Sequence, residues 1–137
     1  YVATKRGVKY YNDSKGTNPD AAIQAIRAMQ GDTLLIAGGY DKGSEYDEWI
    51  EAFDNKVKYL VLLGQTREKI AEAAKRLGVE NVVLCDTFLE AMEFCTDHAV
   101  AGDTVLLSPA CASWGMFKNY EERGHIFKEY VHRITEE

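Results

Sequence analysis

Short apolar runs alternate along this chain with stretches whose apolar residues recur at helical spacing. Thr33-Leu34-Leu35-Ile36-Ala37, Val57 to Leu63, Val82-Val83-Leu84 and Thr104 to Leu107 read as buried strands. Between them, Ala22, Ile23, Ala25, Ile26 and Met29 mark one helix, and Trp49, Ile50 and Phe53 a short second one over 46–53. Thr66 to Leu77 predicts a third helix with Thr66 as its N-cap, Lys69 as a basic partner and Gly78 at its end. Thr87 to Val100 predicts a fourth, with Phe88, Leu89, Met92 and Phe94 among its apolar positions. Tyr120 to Ile134 closes the chain and buries Phe127, Tyr130, Val131 and Ile134. Ahead of the first buried strand, Tyr1-Val2-Ala3 and Val8 to Tyr11 flank a polar break ending at Gly7, the pattern of a hairpin. Asn18 before Pro19 is an N-cap followed by proline at the first helical position. Strands alternating with helices imply an α/β fold: a Rossmann-like, doubly wound, mainly parallel sheet with an N-terminal antiparallel hairpin at one edge.

Composition narrows the function classes. A chain of 137 residues with 46% hydrophobic and 28% charged content is one globular domain with a real core. A net charge of −6 argues against a nucleic-acid footprint, and no apolar run approaches a membrane span. Cys85, Cys95 and Cys111 show no paired metal-ligand spacing and no disulfide framework, so reduced thiols in a cytoplasmic protein are expected, and no metal site. The chain starts at Tyr1 inside a strand pattern and reads as an excerpt of a longer protein.

In a doubly wound sheet, ligands bind beyond the carboxyl ends of the strands. Three loops are placed there: 12–18, 38–44 and 108–120. The last breaks at Ser108-Pro109, runs through small residues and re-enters a helix, so its amides and short hydroxyls are expected to face outward together. Neither the dinucleotide fingerprint nor the phosphate-cradling P-loop occurs in the sequence. Lys15, Thr17 and Lys42 beside Ser113 instead suit a small dianion, one carboxylate held by Lys and a hydroxyl, the other by Ser and backbone amides.

The segments Asn12 to Asn18, Gly38-Gly39-Tyr40-Asp41-Lys42, Leu107 to Ser113 and Phe117 to Gly124 together resemble the C-terminal domain of the Mur ligases, in order and over essentially the whole chain. They are most similar to its glutamate-adding members; the Asp-Asn-Pro-Arg signature of the diamino-acid-adding ones is absent. The resemblance implies a three-domain, ATP- and Mg2+-dependent, amide-forming enzyme of bacterial cell-wall precursor synthesis. There, ATP phosphorylates the carboxylate of UDP-N-acetylmuramoyl-L-alanine, and the amine of D-glutamate attacks the acyl phosphate through a tetrahedral intermediate. By the same resemblance, Thr17 and Lys42 hold the α-carboxylate of D-glutamate, and Ser113 with the amides of Trp114 and Tyr120 holds its γ-carboxylate. Asp13 reaches the ATP ribose and Lys15 the phosphates or the incoming substrate; no residue of this domain is assigned a catalytic role.

The resemblance also implies partners outside this chain. An N-terminal domain grips the UDP-sugar, and a central domain carries the P-loop and the metal ligands. The chain alone is therefore expected to be inactive. Trp114-Gly115-Met116 replaces a more aliphatic and polar stretch, and Tyr120 stands where Phe is common, so the shape of the pocket wall is open. Two other readings stand beside this one. A free-standing module could bind a small anion or dicarboxylate. A hydrolase could use Cys111 as nucleophile, although neither His125 nor His132 has an evident acid to orient it.

Overall fold

A computed structural model describes residues 1–40, 42–113 and 116–134. The hairpin comes first, as β1 (Ala3–Lys5) and β2 (Val8–Asn12). Arg6 and Gly7 turn it with both φ positive, 53° and 79°, the two-residue turn whose twist matches paired strands. Then follow α1 (Pro19–Ala28), β3 (Thr33–Ala37), α2 (Asp47–Glu51), β4 (Val57–Leu62) and α3 (Arg67–Arg76). The chain closes with β5 (Val82–Leu84), α4 (Phe88–His98), β6 (Thr104–Leu107) and α5 (Tyr120–Arg133). The six-stranded sheet runs β1-β2-β6-β3-β4-β5, and every pairing but β1 with β2 is parallel. This is the α/β architecture expected from the alternation, with the hairpin at one edge.

The pleat explains why strands this apolar are needed. Along β3, Leu35 and Ala37 enter one core with Trp49, Ile50 and Phe53 of the α2 region, Ile26 of α1 and Ile70 of α3. Leu34 and Ile36 enter a second core with Met92 and Cys95 of α4 and Phe127 and Val131 of α5. A strand covered on both faces has no polar side to offer. Each fully buried large side chain contributes about 1.5–3 kcal/mol of transfer free energy.

Three local expectations need correction. Thr66 is the N-cap of α3 by position, but its side chain makes no capping bond and turns to Gly39. Leu89 is 56% exposed, because Phe88, Ala91, Met92 and Cys95 form the buried stripe of α4 and place Leu89 beside it. The same helix stops at His98, short of Val100. The Asp103 carboxylate accepts from Val100 N–H at 2.9 Å and from Lys58 Nζ at 2.8 Å, drawing the chain into a turn.

Register sets up the site. Asn12 lies level with Leu107, and Leu107 with Ile36, so the chain leaves β2, β6 and β3 at one height. α1, α2 and α3 pack on one face, α4 and α5 on the other. The connections after β3 and β6 therefore leave toward opposite faces at the carboxyl ends of these two neighbouring strands, the place where doubly wound sheets bind their ligands.

Candidate functional site

Backbone hydrogen bonds clamp the three loops to one another. Ala110 N–H donates to Gly16 O at 2.9 Å, joining the loop after β6 to the loop after β2. Gly38 N–H donates to Pro109 O at 3.0 Å and Tyr40 N–H to Ala112 O at 2.9 Å, joining it to the loop after β3. Tyr40 and Ala112 form an isolated antiparallel bridge there. Ala110 adopts a left-handed φ of 61°, a conformation costly for a residue with a Cβ, where the loop doubles back.

Thr66 locks the second loop from below. Its hydroxyl accepts from Gly39 N–H at 3.0 Å, and its own N–H donates to Gly39 O at 3.1 Å. Cys111 lies beneath, buried, with Sγ 3.4 Å from both the Thr66 hydroxyl and the Tyr46 hydroxyl. That is the environment of a packed small residue. His125 points away on α5 and pairs with Glu129, so it offers Cys111 no base.

The loop after β2 carries Asp13, Lys15 and Thr17. The Asp13 carboxylate is half-buried and accepts from the Ser108 hydroxyl at 2.8 Å. Ser108 is itself wholly buried, which corrects the expectation that this hydroxyl faces outward. Burial pushes the Asp13 carboxyl above its usual range, against the opposing pull of the Ser108 bond and the charges of Arg123 and Lys15. The folded chain thus holds this proton more tightly than the unfolded chain. Its contribution to stability is full below the usual carboxylate range and is lost as pH rises through the raised value. Asp13→Asn is expected to remove that fall, and urea midpoints of both proteins, followed from acid upward to neutral pH, check it.

Lys15 is exposed and Thr17 half-buried, its N–H donating to Lys15 O at 2.8 Å. Lys42 is exposed on the second loop, which also sends Ser44 O to Lys69 Nζ at 2.8 Å. Ser113 is buried, and its carbonyl accepts from Phe117 N–H at 3.0 Å. Tyr120 opens α5, where a helix leaves its first amides without internal partners. Asn119 caps that end by accepting from Glu122 N–H at 2.7 Å. Trp114, together with Gly115 and Asp41 of the quoted motifs, lies outside the described residues. The backbone thus brings together the loops that carry Asp13, Lys15, Thr17, Lys42 and Ser113. Of these residues and Tyr120, only Lys15 and Tyr120 line one described cleft, of about 230 Å³, along with Asn12, Ser14, Gly124 and Lys128. A roomier cleft of about 600 Å³ lies at the other end of the sheet, but Glu51, Asp54 and Glu80 line it with no cation to receive an anion.

Arg123 is the residue that the sequence pattern left without a role. Its guanidinium is buried and donates through Nε to Ser14 Oγ at 2.8 Å, through one terminal nitrogen to Ser14 O at 2.8 Å and through the other to Cys111 O at 3.2 Å. Desolvation pushes its pKa down to about 10, so it remains charged at neutral pH. Gly124 beside it lets α5 approach the end of β2: an added Cβ would stand 2.9 Å from the Asn12 side chain and 3.2 Å from Ser14 Cβ. A signal for Arg123 was present. It occupies the helical stripe of Phe127 and Val131, where an apolar residue is expected, and a charge there needs buried partners.

Among the described residues no helix is long and apolar enough to cross a membrane, and no group of three or more His, Cys, Asp or Glu side chains is placed to hold a metal ion. Residues 1–111 match the family described as "Mur ligase, glutamate ligase domain". The chain is 75% identical over 137 residues to the UDP-N-acetylmuramoylalanine–D-glutamate ligase of Lachnoclostridium phytofermentans, covering 100% of this chain and 30% of that protein. It is 60% identical over 134 residues to the ligase of the same name from Lachnospira eligens, covering 98% of this chain and 30% of that one. A third, from Caldanaerobacter subterraneus, is 55% identical over 133 residues, again across 30% of its length. The chain thus spans about a third of the curated relatives it matches.

Proposed function

This chain belongs to the glutamate ligase domain family of the Mur ligases, and we propose from that premise that it is the amino-acid-binding, C-terminal part of a bacterial cytoplasmic enzyme. That enzyme joins D-glutamate to UDP-N-acetylmuramoyl-L-alanine with hydrolysis of ATP. The observation that carries the reading is the clamp at Ala110–Gly16, Gly38–Pro109 and Tyr40–Ala112, which fixes three donor-bearing loops at one rim of the sheet.

On this reading Lys42 and the Thr17 hydroxyl bind the α-carboxylate of D-glutamate. Ser113, with the amides at Trp114 and Tyr120, binds the γ-carboxylate. A carboxylate held by an ammonium, a hydroxyl and helix-terminal amides receives charge-assisted hydrogen bonds without a metal between them. Holding both carboxylates leaves the amine as the one free nucleophile and fixes its approach. The amine then attacks the phosphorylated carboxyl of the second substrate and phosphate leaves.

ATP is assigned to the loop after β2. Ser108 engages one oxygen of Asp13; the other accepts from a ribose hydroxyl, and Lys15 faces the phosphates. Mg2+ enters with ATP and is bound mainly by the central domain, as is the phosphate chain. The N-terminal and central domains of the same polypeptide are the partners of this rim.

The test is phosphate release by the full-length protein supplied with Mg-ATP and UDP-N-acetylmuramoyl-L-alanine. D-Glutamate is expected to support turnover, while L-glutamate, a diamino acid and D-alanyl-D-alanine do not. Comparable turnover with any of these three contradicts the proposal.

A further inference from the structure

Ser14 stands between two loops to which the proposed function gives different ligands. On either side of it in sequence are Asp13 and Lys15, assigned to the nucleotide. In space its hydroxyl donates to Tyr120 O at 2.6 Å, at the helix end assigned to the γ-carboxylate of D-glutamate. The direction of that bond is forced. A carbonyl oxygen can only accept, so the Ser14 hydroxyl proton goes to Tyr120 O, and the Ser14 oxygen in turn accepts from Arg123 Nε at 2.8 Å. Ser14 is 3% exposed, so both bonds lie under cover of the surrounding chain. Arg123 extends the connection by holding Ser14 O and Cys111 O, the latter two residues before Ser113.

We infer that the Ser14 hydroxyl, fixed by Arg123, is a positioning group that couples the nucleotide-side loop to the glutamate-side helix end. The inference rests on the ligand assignment given above. Neither Ser14 nor Arg123 touches either ligand in that assignment. They act by setting where the first turn of α5, which carries the Tyr120 amide, and the Ser113 loop sit once Asp13 and Lys15 engage ATP. A shift of the loop after β2 moves Ser14, and through a bond of fixed polarity it moves Tyr120.

The experiment is steady-state kinetics of the full-length enzyme with Ser14→Ala, Ser113→Ala and the double variant, D-glutamate and ATP each varied. Ser14→Ala is expected to raise KM for D-glutamate about tenfold, the worth of one hydrogen bond to a charged network. It should leave KM for ATP far less changed, although Ser14 sits in the nucleotide-side loop. The double variant should lose less kcat/KM for D-glutamate than the product of the single losses, because both changes loosen one carboxylate site. A purely structural role for Ser14 would give losses that multiply, and that result overturns the inference. Ser14→Cys keeps the volume with a weak hydrogen-bonding group; if Ser14→Ala fails to fold, the same pattern in Ser14→Cys decides. Raised KM in Ser113→Ala with unchanged KM in the Ser14 variant overturns the relay and leaves the pocket standing. Unchanged KM in Ser113→Ala removes the pocket assignment and the relay together.

Discussion

Lys42→Ala and Ser113→Ala in the full-length protein are each expected to lower kcat/KM for D-glutamate by about ten- to hundredfold, with the Michaelis constant for ATP little changed. A hydrogen bond to a charged group is worth about 1.5–3 kcal/mol, which corresponds to that range. The two need not be equal. Ser113 is buried, so on the proposed assignment its bond to a carboxylate would be little screened by water. Lys42 is exposed, so solvent screens its charge and its proposed interaction is the weaker. Ser113→Ala is therefore placed at the upper end and Lys42→Ala at the lower. Asp13→Ala and Lys15→Ala should show the reverse pattern and raise the Michaelis constant for ATP. Kinetics with each substrate varied separate the two classes.

Gly38→Ala should be among the most damaging single substitutions at the rim. Gly38 has a φ of +104°, in the region that favours glycine, and an added Cβ would stand 2.1 Å from Leu63 O. That oxygen belongs to backbone and cannot turn aside as a side chain would. The left-handed conformation alone costs about 1–2 kcal/mol for a residue with a Cβ, and the collision adds the displacement of one strand end against another. A destabilisation of about 3 kcal/mol or more is expected in urea unfolding. Since Gly38 N–H also bonds Pro109 O, the shift should reach Ser113 and raise the Michaelis constant for D-glutamate. Stability within about 0.5 kcal/mol of the parent would show that the loop after β3 is not held as described.

Much of the fold was legible because the pleat and the helix have different periods. Leu34 to Ala37 could be read as a strand covered on both faces, and Ile23 and Ile26 as one helical stripe. The Asn18 cap was equally readable; its carboxamide accepts from Ala21 N–H at 2.9 Å. What sequence alone could not give were the destinations of polar side chains in three dimensions. Thr66 looks like a cap in sequence, yet Gly39, 27 residues away, offers it a better partner. Ser108 reads as a hydroxyl at an outward corner but reaches back to Asp13 across 95 residues. For Leu89, a single apolar residue beside a stripe of four carries no mark saying which side of the helix is covered. The loops of the candidate site could be assigned to one end of the sheet from topology. Their clamping depends on contacts between segments far apart in sequence, Gly38 with Pro109 through the backbone and Arg123 with Ser14 through side chains.

If the rim formed by the three loops is the D-glutamate site, a crystal structure of the full-length protein with D-glutamate bound will show both carboxylates there. The α-carboxylate should lie within hydrogen-bond distance of Lys42 Nζ and the Thr17 hydroxyl. The γ-carboxylate should lie within the same distance of Ser113 and the Tyr120 amide. D-Glutamate bound away from these loops, or with both carboxylates on residues outside this chain, would contradict the account.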